Sequence, residues 1–256
     1  MVSWLRANGK FLFRGAALLL AGAAAGFGLG LFFAVPAGPG CRENDLTPVP
    51  DTGFVSPAPE AAPASSLPQE EPVPEKWVCL TFDDGPSDRV TPRVLDTLKS
   101  YNVRATFFIV NYGESGKALI RRMIDEGHTV AIHGYSHDYA SIYKSDEAFM
   151  QNVYRLRDRL RADFGYEATI LRFPGGSSNT VSAHSYVGLM SLLTRAVQDA
   201  GFQYFDWNVD SNDAGGAKKA QTVFANVTAG VSQNWVSVVL QHDIHDFSVD
   251  AVEDII

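Results

Sequence analysis

The sequence predicts an α/β fold built as a distorted (β/α) barrel, and three observations carry that prediction. From Trp77 onwards, short apolar runs rich in β-formers alternate with helix-period segments, the pattern of parallel strands joined by helical crossovers. About six such repeats, with a seventh begun, suit a barrel better than an open sheet. The chemically capable side chains cluster just after the apolar runs, where a parallel barrel presents its functional groups.

The chain before Trp77 has a different character. Residues 15–35 carry no charge over 21 positions and follow Arg6, Lys10 and Arg14. At about 1.5 Å rise per residue that run spans about 30 Å of hydrocarbon, and the basic flank keeps residues 1–14 on the cytoplasmic side. A retained transmembrane anchor is expected, with an uncleaved or cleaved signal as the alternative. Residues 36–76 hold ten of the 13 prolines among Ala, Ser and Glu, which predicts an extended, disordered linker. Residues 77–256 then form the globular domain, outside the membrane or secreted.

The expected strands are 77–82, 105–110, 128–133, 168–173, 203–208 and 235–241, and the expected helices lie near 90–101, 116–126, 146–164, 184–200 and 217–231. Ser145-Asp-Glu147 supplies the N-cap signal of the third helix. Strand one ends in Asp83-Asp84, two like charges that a dry site tolerates only with a cation or a shared proton. As neighbours on an extended backbone they point in different directions unless the following Gly85-Pro86 turn re-aims them, and either way they can play different roles. Strand two ends in Asn111 and Tyr112, which carry no evident role. Strand three delivers His133 and then His137, four residues apart across a Gly-containing loop, a spacing that puts two imidazoles on one side of a turn. Strand four delivers Arg172 and then Pro174-Gly175-Gly176, strand five Asp210 and Asp213, and strand six His242.

All six histidines lie after residue 76. Of these, His128 and His184 read as structural, while His133, His137 and an upstream Asp suggest a divalent-metal site with an open position, as in a catalytic centre. Cys79, inside strand one, reads as core filler, and two cysteines make no disulfide framework. A net charge of −8 with no basic stripe excludes nucleic acid as a partner. No protein partner is inferred.

Taken in order, Thr81–Gly85, His133-x-x-x-His137, Arg172-Phe-Pro-Gly175 and Leu240-Gln-His242 resemble the motifs of the polysaccharide deacetylases, the NodB-homology domain of carbohydrate esterase family 4. Peptidoglycan N-acetylglucosamine deacetylases are similar in the third motif. The resemblance implies Asp83 as general base and Asp84, His133 and His137 as ligands of a metal, zinc or else cobalt or nickel. It also implies Arg172 as the residue orienting the base, His242 as general acid and Leu240 lining the acetyl pocket. By position Asp213 tunes His242, with Asp210 as second choice. Pro174 and Gly175 face substrate. The fourth motif departs from the family at Ala214, where an aromatic is usual, and Trp207 is the candidate substitute. The resemblance further implies a closing strand after His245 that is missing from this chain.

The implied reaction is hydrolysis of N-acetyl groups on a cell-wall or extracellular polysaccharide, foremost peptidoglycan N-acetylglucosamine. Chitooligosaccharides, an exopolysaccharide, an O-acetyl ester, or a catalytically inactive wall-binding module are the alternatives.

Overall fold

The computed structural model describes residues 76–256 and the dipeptide Leu5–Arg6. The expected anchor at 15–35 and nearly all of the linker therefore lie outside the described residues, among which no helix is long and apolar enough to cross a membrane. In chain order the elements are β1 (Leu5–Arg6), β2 (Trp77–Asp83), α1 (Thr91–Ser100), β3 (Thr106–Ile109), α2 (Glu114–Asp125), β4 (Thr129–Ile132), α3 (Tyr139–Ile142), α4 (Asp146–Phe164), β5 (Ile170–Leu171) and a 3-10 turn (Val181–His184). They continue with α5 (Leu189–Asp199), β6 (Gln203–Tyr204), β7 (Val209–Asp210), α6 (Ala220–Gln233), β8 (Val236–His242), α7 (Asp246–Val249) and α8 (Val252–Ile255).

Seven parallel strands form one sheet in the order β6-β5-β4-β3-β2-β8-β7, and β1 pairs antiparallel with the start of β2. Alternation along each strand separates two faces. Val78, Leu80 and Phe82 of β2, Phe107 and Ile109 of β3, and Val130 and Ile132 of β4 join the main hydrophobic core with Leu95, Leu98, Ile120, Met123, Val153 and Leu156 of the helices. The intervening residues Thr81, Asp83, Phe108, Ala131 and Arg172 are buried on the other side. A β-sheet with a polar, buried second face needs that face enclosed, and the curl of the sheet encloses it.

The expected strand 203–208 is a correction. Only its start, Gln203–Tyr204, is strand, β6 at one edge of the sheet; residues 205–208 cross to β7 (Val209–Asp210) at the opposite edge. The break has a physical cause. The carbonyls of Phe205 and Asp206 accept hydrogen bonds from Arg172, from Nε at 2.9 Å and from Nη2 at 3.2 Å, instead of from a neighbouring strand. Phe205 N–H still donates to Leu171 of β5, and Asn208 N–H donates to Val238 of β8. The two edges are thus joined through four residues of chain, and the sheet forms a curled half-barrel without a strand ladder between them. After β8 the chain forms two short helices, α7 and α8, and no further strand among the described residues.

Helix α4 has the expected bounds. Ser145 Oγ accepts the Ala148 N–H at 3.1 Å as its N-cap, and Phe149, Val153, Leu156 and Leu160 bury one face. The helix expected from 184 begins at Leu189, and His184 ends the 3-10 turn, exposed. His128 is structural as expected: buried, it accepts the Ala105 N–H at Nδ1, at 3.1 Å. Cys79 is likewise buried and free, its thiol pushed up to about 12 by burial, as befits core filler.

Candidate active site

In the sheet register Asp83 lies beside His242 and Thr81 beside Leu240, so the last turns of the two adjacent strands β2 and β8 set these four side chains on one face. Asp84 then leaves the strand with φ +73°, a left-handed conformation that Asp tolerates. Its N–H still donates to the Phe108 carbonyl at 3.2 Å. The backbone of Asp84 itself thus turns its carboxylate away from the strand alternation.

His133 follows β4, and its Nδ1 lies 2.9 Å from the Arg172 carbonyl oxygen, which requires the proton on Nδ1. Nε2 therefore offers a lone pair, and it faces Asp84 Oδ1 at 3.4 Å. Burial, only partly opposed by Asp84, pushes this imidazole down to about 3, so it is neutral. His137 Nε2 approaches the same oxygen at 3.6 Å, its ring edge-on to Tyr139. Ligand atoms of Asp84, His133 and His137 all lie within 4.8 Å of one another. Asp84 Oδ1 is buried with no hydrogen-bond partner. An acceptor oxygen facing lone pairs is unfavourable unless a cation sits among them, so the donor set fits a divalent metal.

Arg172 is fully buried. Its Nη1 donates to Asp83 Oδ1 and to Thr81 Oγ1, both at 2.8 Å, while Nε and Nη2 hold the two carbonyls of the 205–208 crossing. Its guanidinium lies 4.1 Å from the centroid of the Phe108 ring. The base candidate is therefore fixed in orientation. Burial raises the Asp83 carboxyl above its ordinary value, and Arg172 and His242 only partly offset this.

His242 is held by Asp213, not by Asp210. Nδ1 meets Asp213 Oδ1 at 2.7 Å, and Ser248 Oγ donates to the other carboxylate oxygen at 2.6 Å. Burial disfavours the imidazolium, yet the Asp213 hydrogen bond and charge outweigh it and raise His242 to about 9. Asp213 is correspondingly lowered against the opposing effect of its own burial. Asp210 is exposed and accepts the Asn212 N–H at 2.7 Å. His242 Nε2 points back to the cluster, 3.9 Å from Asp84 Oδ2, and Asp83 Oδ2 lies 3.8 Å from His133 Nε2.

In the Pro174-Gly175-Gly176 turn, the Pro174 carbonyl accepts the Tyr143 hydroxyl at 2.7 Å, and Gly176 N–H donates to Phe173 at 2.8 Å. Since Pro174 has no N–H, Gly175 carries the one donor of the three not taken by the turn itself. Trp207 packs over this turn, its ring so close that a Cβ on Gly176 would lie 3.2 Å from it, with the Arg172 guanidinium 5.6 Å from its centroid. Leu240 stands two residues before His242 on the same face of β8.

Sequence reasoning missed four residues that build this site. Thr81 shares the Arg172 guanidinium with Asp83, and its place two residues before Asp83 on one strand was the available signal. Asp206 accepts the Ser177 N–H at 2.9 Å, tying the turn to the crossing. Asn152 grips the loop between the two histidines. Asp243, next to His242, packs its carboxylate against Gly85, where any Cβ would fall 2.2 Å from Oδ2. Asn111 and Tyr112, at the end of β3, bind Arg159 and Asp163 of α4 and lie outside the site's chemistry.

A family model described as polysaccharide deacetylase matches residues 70–189. The chain is 33% identical over 187 residues to a peptidoglycan-N-acetylglucosamine deacetylase of Listeria monocytogenes, an alignment covering 70% of this chain and 36% of that protein. It thus spans about a third of that relative. The structure resembles the catalytic domain of peptidoglycan N-acetylglucosamine deacetylase from Eubacterium rectale, with a TM-score of 0.68 and 45% identity, over 76% of this chain and 88% of that one. It also resembles a family 4 acetyl xylan esterase from Clostridium thermocellum solved with a cobalt ion, with a TM-score of 0.55 and 26% identity over 70% and 80% of the two chains.

Proposed function

This chain belongs to the polysaccharide deacetylase family, and on that premise we propose that its domain is a metal-dependent hydrolase that removes N-acetyl groups from peptidoglycan N-acetylglucosamine. The observation that carries the proposal is the placement of Asp83 and His242 against the Asp84, His133, His137 cluster, each within 4 Å of one of its members. Asp84, His133 and His137 would hold the metal, zinc first, with cobalt or nickel as the alternatives that two imidazoles and one carboxylate also suit. When bound, it supplies Lewis acidity toward the acetyl carbonyl and toward water.

The remaining work falls to side chains with separate tasks. Asp83, oriented by Arg172, accepts the proton of the attacking water; burial raises its carboxyl above the ordinary value, and the arginine opposes that rise. Gly175 N–H is placed to donate to the carbonyl oxygen as charge develops there. His242, kept protonated by Asp213, gives its proton to the departing amine. Leu240 and Trp207 enclose the acetyl methyl group. A polysaccharide-binding module would need neither the buried base nor the raised acid.

Release of acetate from purified peptidoglycan, with and without chelator, tests the reading; an acetylated xylan in a parallel arm tests the O-acetyl alternative. No chelator-sensitive acetate from either polymer would overturn it. The substrate lies outside the cytoplasm, so we place the domain there, held by residues 15–35 behind Arg6, Lys10 and Arg14. That topology puts Leu5 and Arg6 across the bilayer from β2 and so requires their pairing with Val78 and Trp77 to be absent in the membrane-held protein. Protease protection of an N-terminal tag in intact cells distinguishes the two arrangements.

A further inference from the structure

His133 and His137 are separated by Gly134, Tyr135 and Ser136, a segment with no regular structure. Ser136 makes its backbone hydrogen bonds to the side chain of the seventh residue of α4, Asn152. Asn152 Oδ1 accepts the Ser136 N–H at 2.7 Å, and Asn152 Nδ2 donates to the Ser136 carbonyl at 3.0 Å. The carboxamide thus pairs with both sides of one residue as a neighbouring strand would. The orientation of the amide is unambiguous, because its oxygen faces a donor and its nitrogen faces an acceptor. The Asn152 carbonyl also accepts the Tyr135 N–H, at 3.3 Å.

Asn is a poor helix-interior residue, and this one is 9% exposed in the middle of a 19-residue helix, so its presence calls for a reason. Gly134 completes the arrangement. Its φ is +146°, and a Cβ built there would lie 2.4 Å from Asn152 Nδ2 and 2.9 Å from the Ser136 carbonyl oxygen, so the amide occupies space that only glycine leaves open. Behind the loop lies a groove lined by Tyr135, Ser141, Ile142, Gln151 and Arg155 among others.

We propose that Asn152, with Gly134, is a positioning residue for His137: it fixes the peptide before His137 and thereby the third ligand of the metal site. The inference rests on the reading of Asp84, His133 and His137 as that site. Cobalt(II) titration of the apo protein, followed by its visible absorption, tests it in the wild type, Asn152→Asp, His137→Ala and the double variant. In Asn152→Asp an oxygen replaces the donor facing the Ser136 carbonyl, while the fold keeps an isosteric side chain. The expected result is a 10- to 100-fold weaker cobalt Kd, as for other residues that orient a ligand, with a melting temperature close to wild type. In the His137→Ala background the same substitution should cost little further, because its effect passes through that imidazole. Unchanged affinity in Asn152→Asp, or full additivity in the double variant, would overturn the proposal. A wild type that binds no cobalt would overturn the metal site itself, a separate outcome.

Discussion

Asp213 grips His242 at two points: Oδ1 meets ring Nδ1 at 2.7 Å, and Oδ2 accepts the backbone N–H of the same residue, also at 2.7 Å. One carboxylate thus sets both the position of the strand end and the charge of the ring it carries.

The pH dependence of that pair has a definite sign. His242 is raised from 6.5 to about 9, so its ion pair stabilises the fold fully below pH 6.5 and is lost as pH rises through about 9. Asp213 is lowered, so its contribution is present above the ordinary carboxylate range and is lost only in more acid solution. In Asp213→Asn the alkaline limb of kcat/KM should move from near pH 9 toward 6.5, as a pH–rate profile would show. An unmoved limb would exclude His242 as the acid held by Asp213.

Asp84→Asn keeps a residue type that tolerates the left-handed backbone at φ +73° but removes the anionic ligand oxygen. We expect a folded protein whose metal affinity falls by about 100-fold or more, beyond the usual effect of altering a residue that merely orients a ligand. Asp84→Ala should lose the metal and in addition melt lower, since alanine is strained there. Equilibrium dialysis and thermal melts separate the two effects.

Arg172 and Asp83 form a buried pair at 2.8 Å. Removing the cation in Arg172→Met leaves a buried carboxylate without its partner and two carbonyls without donors, and should cost about 3–5 kcal/mol in urea unfolding. Asp83→Asn keeps an acceptor for the guanidinium. It should remain folded and bind metal while turnover drops by about 100-fold or more, the usual worth of a general base. Retained turnover would remove Asp83 from that role.

Asp243 lies buried against Gly85 with Thr91 Oγ1 donating to its Oδ2 at 2.5 Å, and its Oδ1 has no partner. Burial raises it from 3.8 to about 7. A raised acid stabilises fully below its unfolded value, and this contribution is lost as pH climbs through about 7. Asp243→Asn should therefore narrow the difference in urea midpoint between pH 5 and pH 8 relative to wild type. An equal difference in the two proteins would show that Asp243 does not titrate in this range.

The parts of the site legible in the sequence share one property: each sits at the end of an apolar run. Asp83, His133, Arg172 and His242 were recoverable because a parallel strand announces itself by hydrophobicity and its end by the first polar side chain. Asn152 and Asp206 carry no such mark. Asn152 acts from the middle of α4, at a distance in sequence of 16 residues from Ser136. The division of 203–210 between opposite sheet edges was hidden for the same reason, since the groups that interrupt it belong to Arg172, more than 30 residues away.

By itself the sequence determined the strand-helix alternation, the family, and the identity of the three metal-binding candidates with their base and acid. The alternation follows from local polarity and spacing, which neighbouring residues are enough to set, whereas the family and the roles expected of those candidates came through the resemblance of their motifs. Only the tertiary structure decided that Asp213 and not Asp210 holds His242, that Asp83 is raised by burial, and that Asn152 steadies the loop before His137. Each of those depends on distance and desolvation between segments far apart in the chain, and only folding creates either.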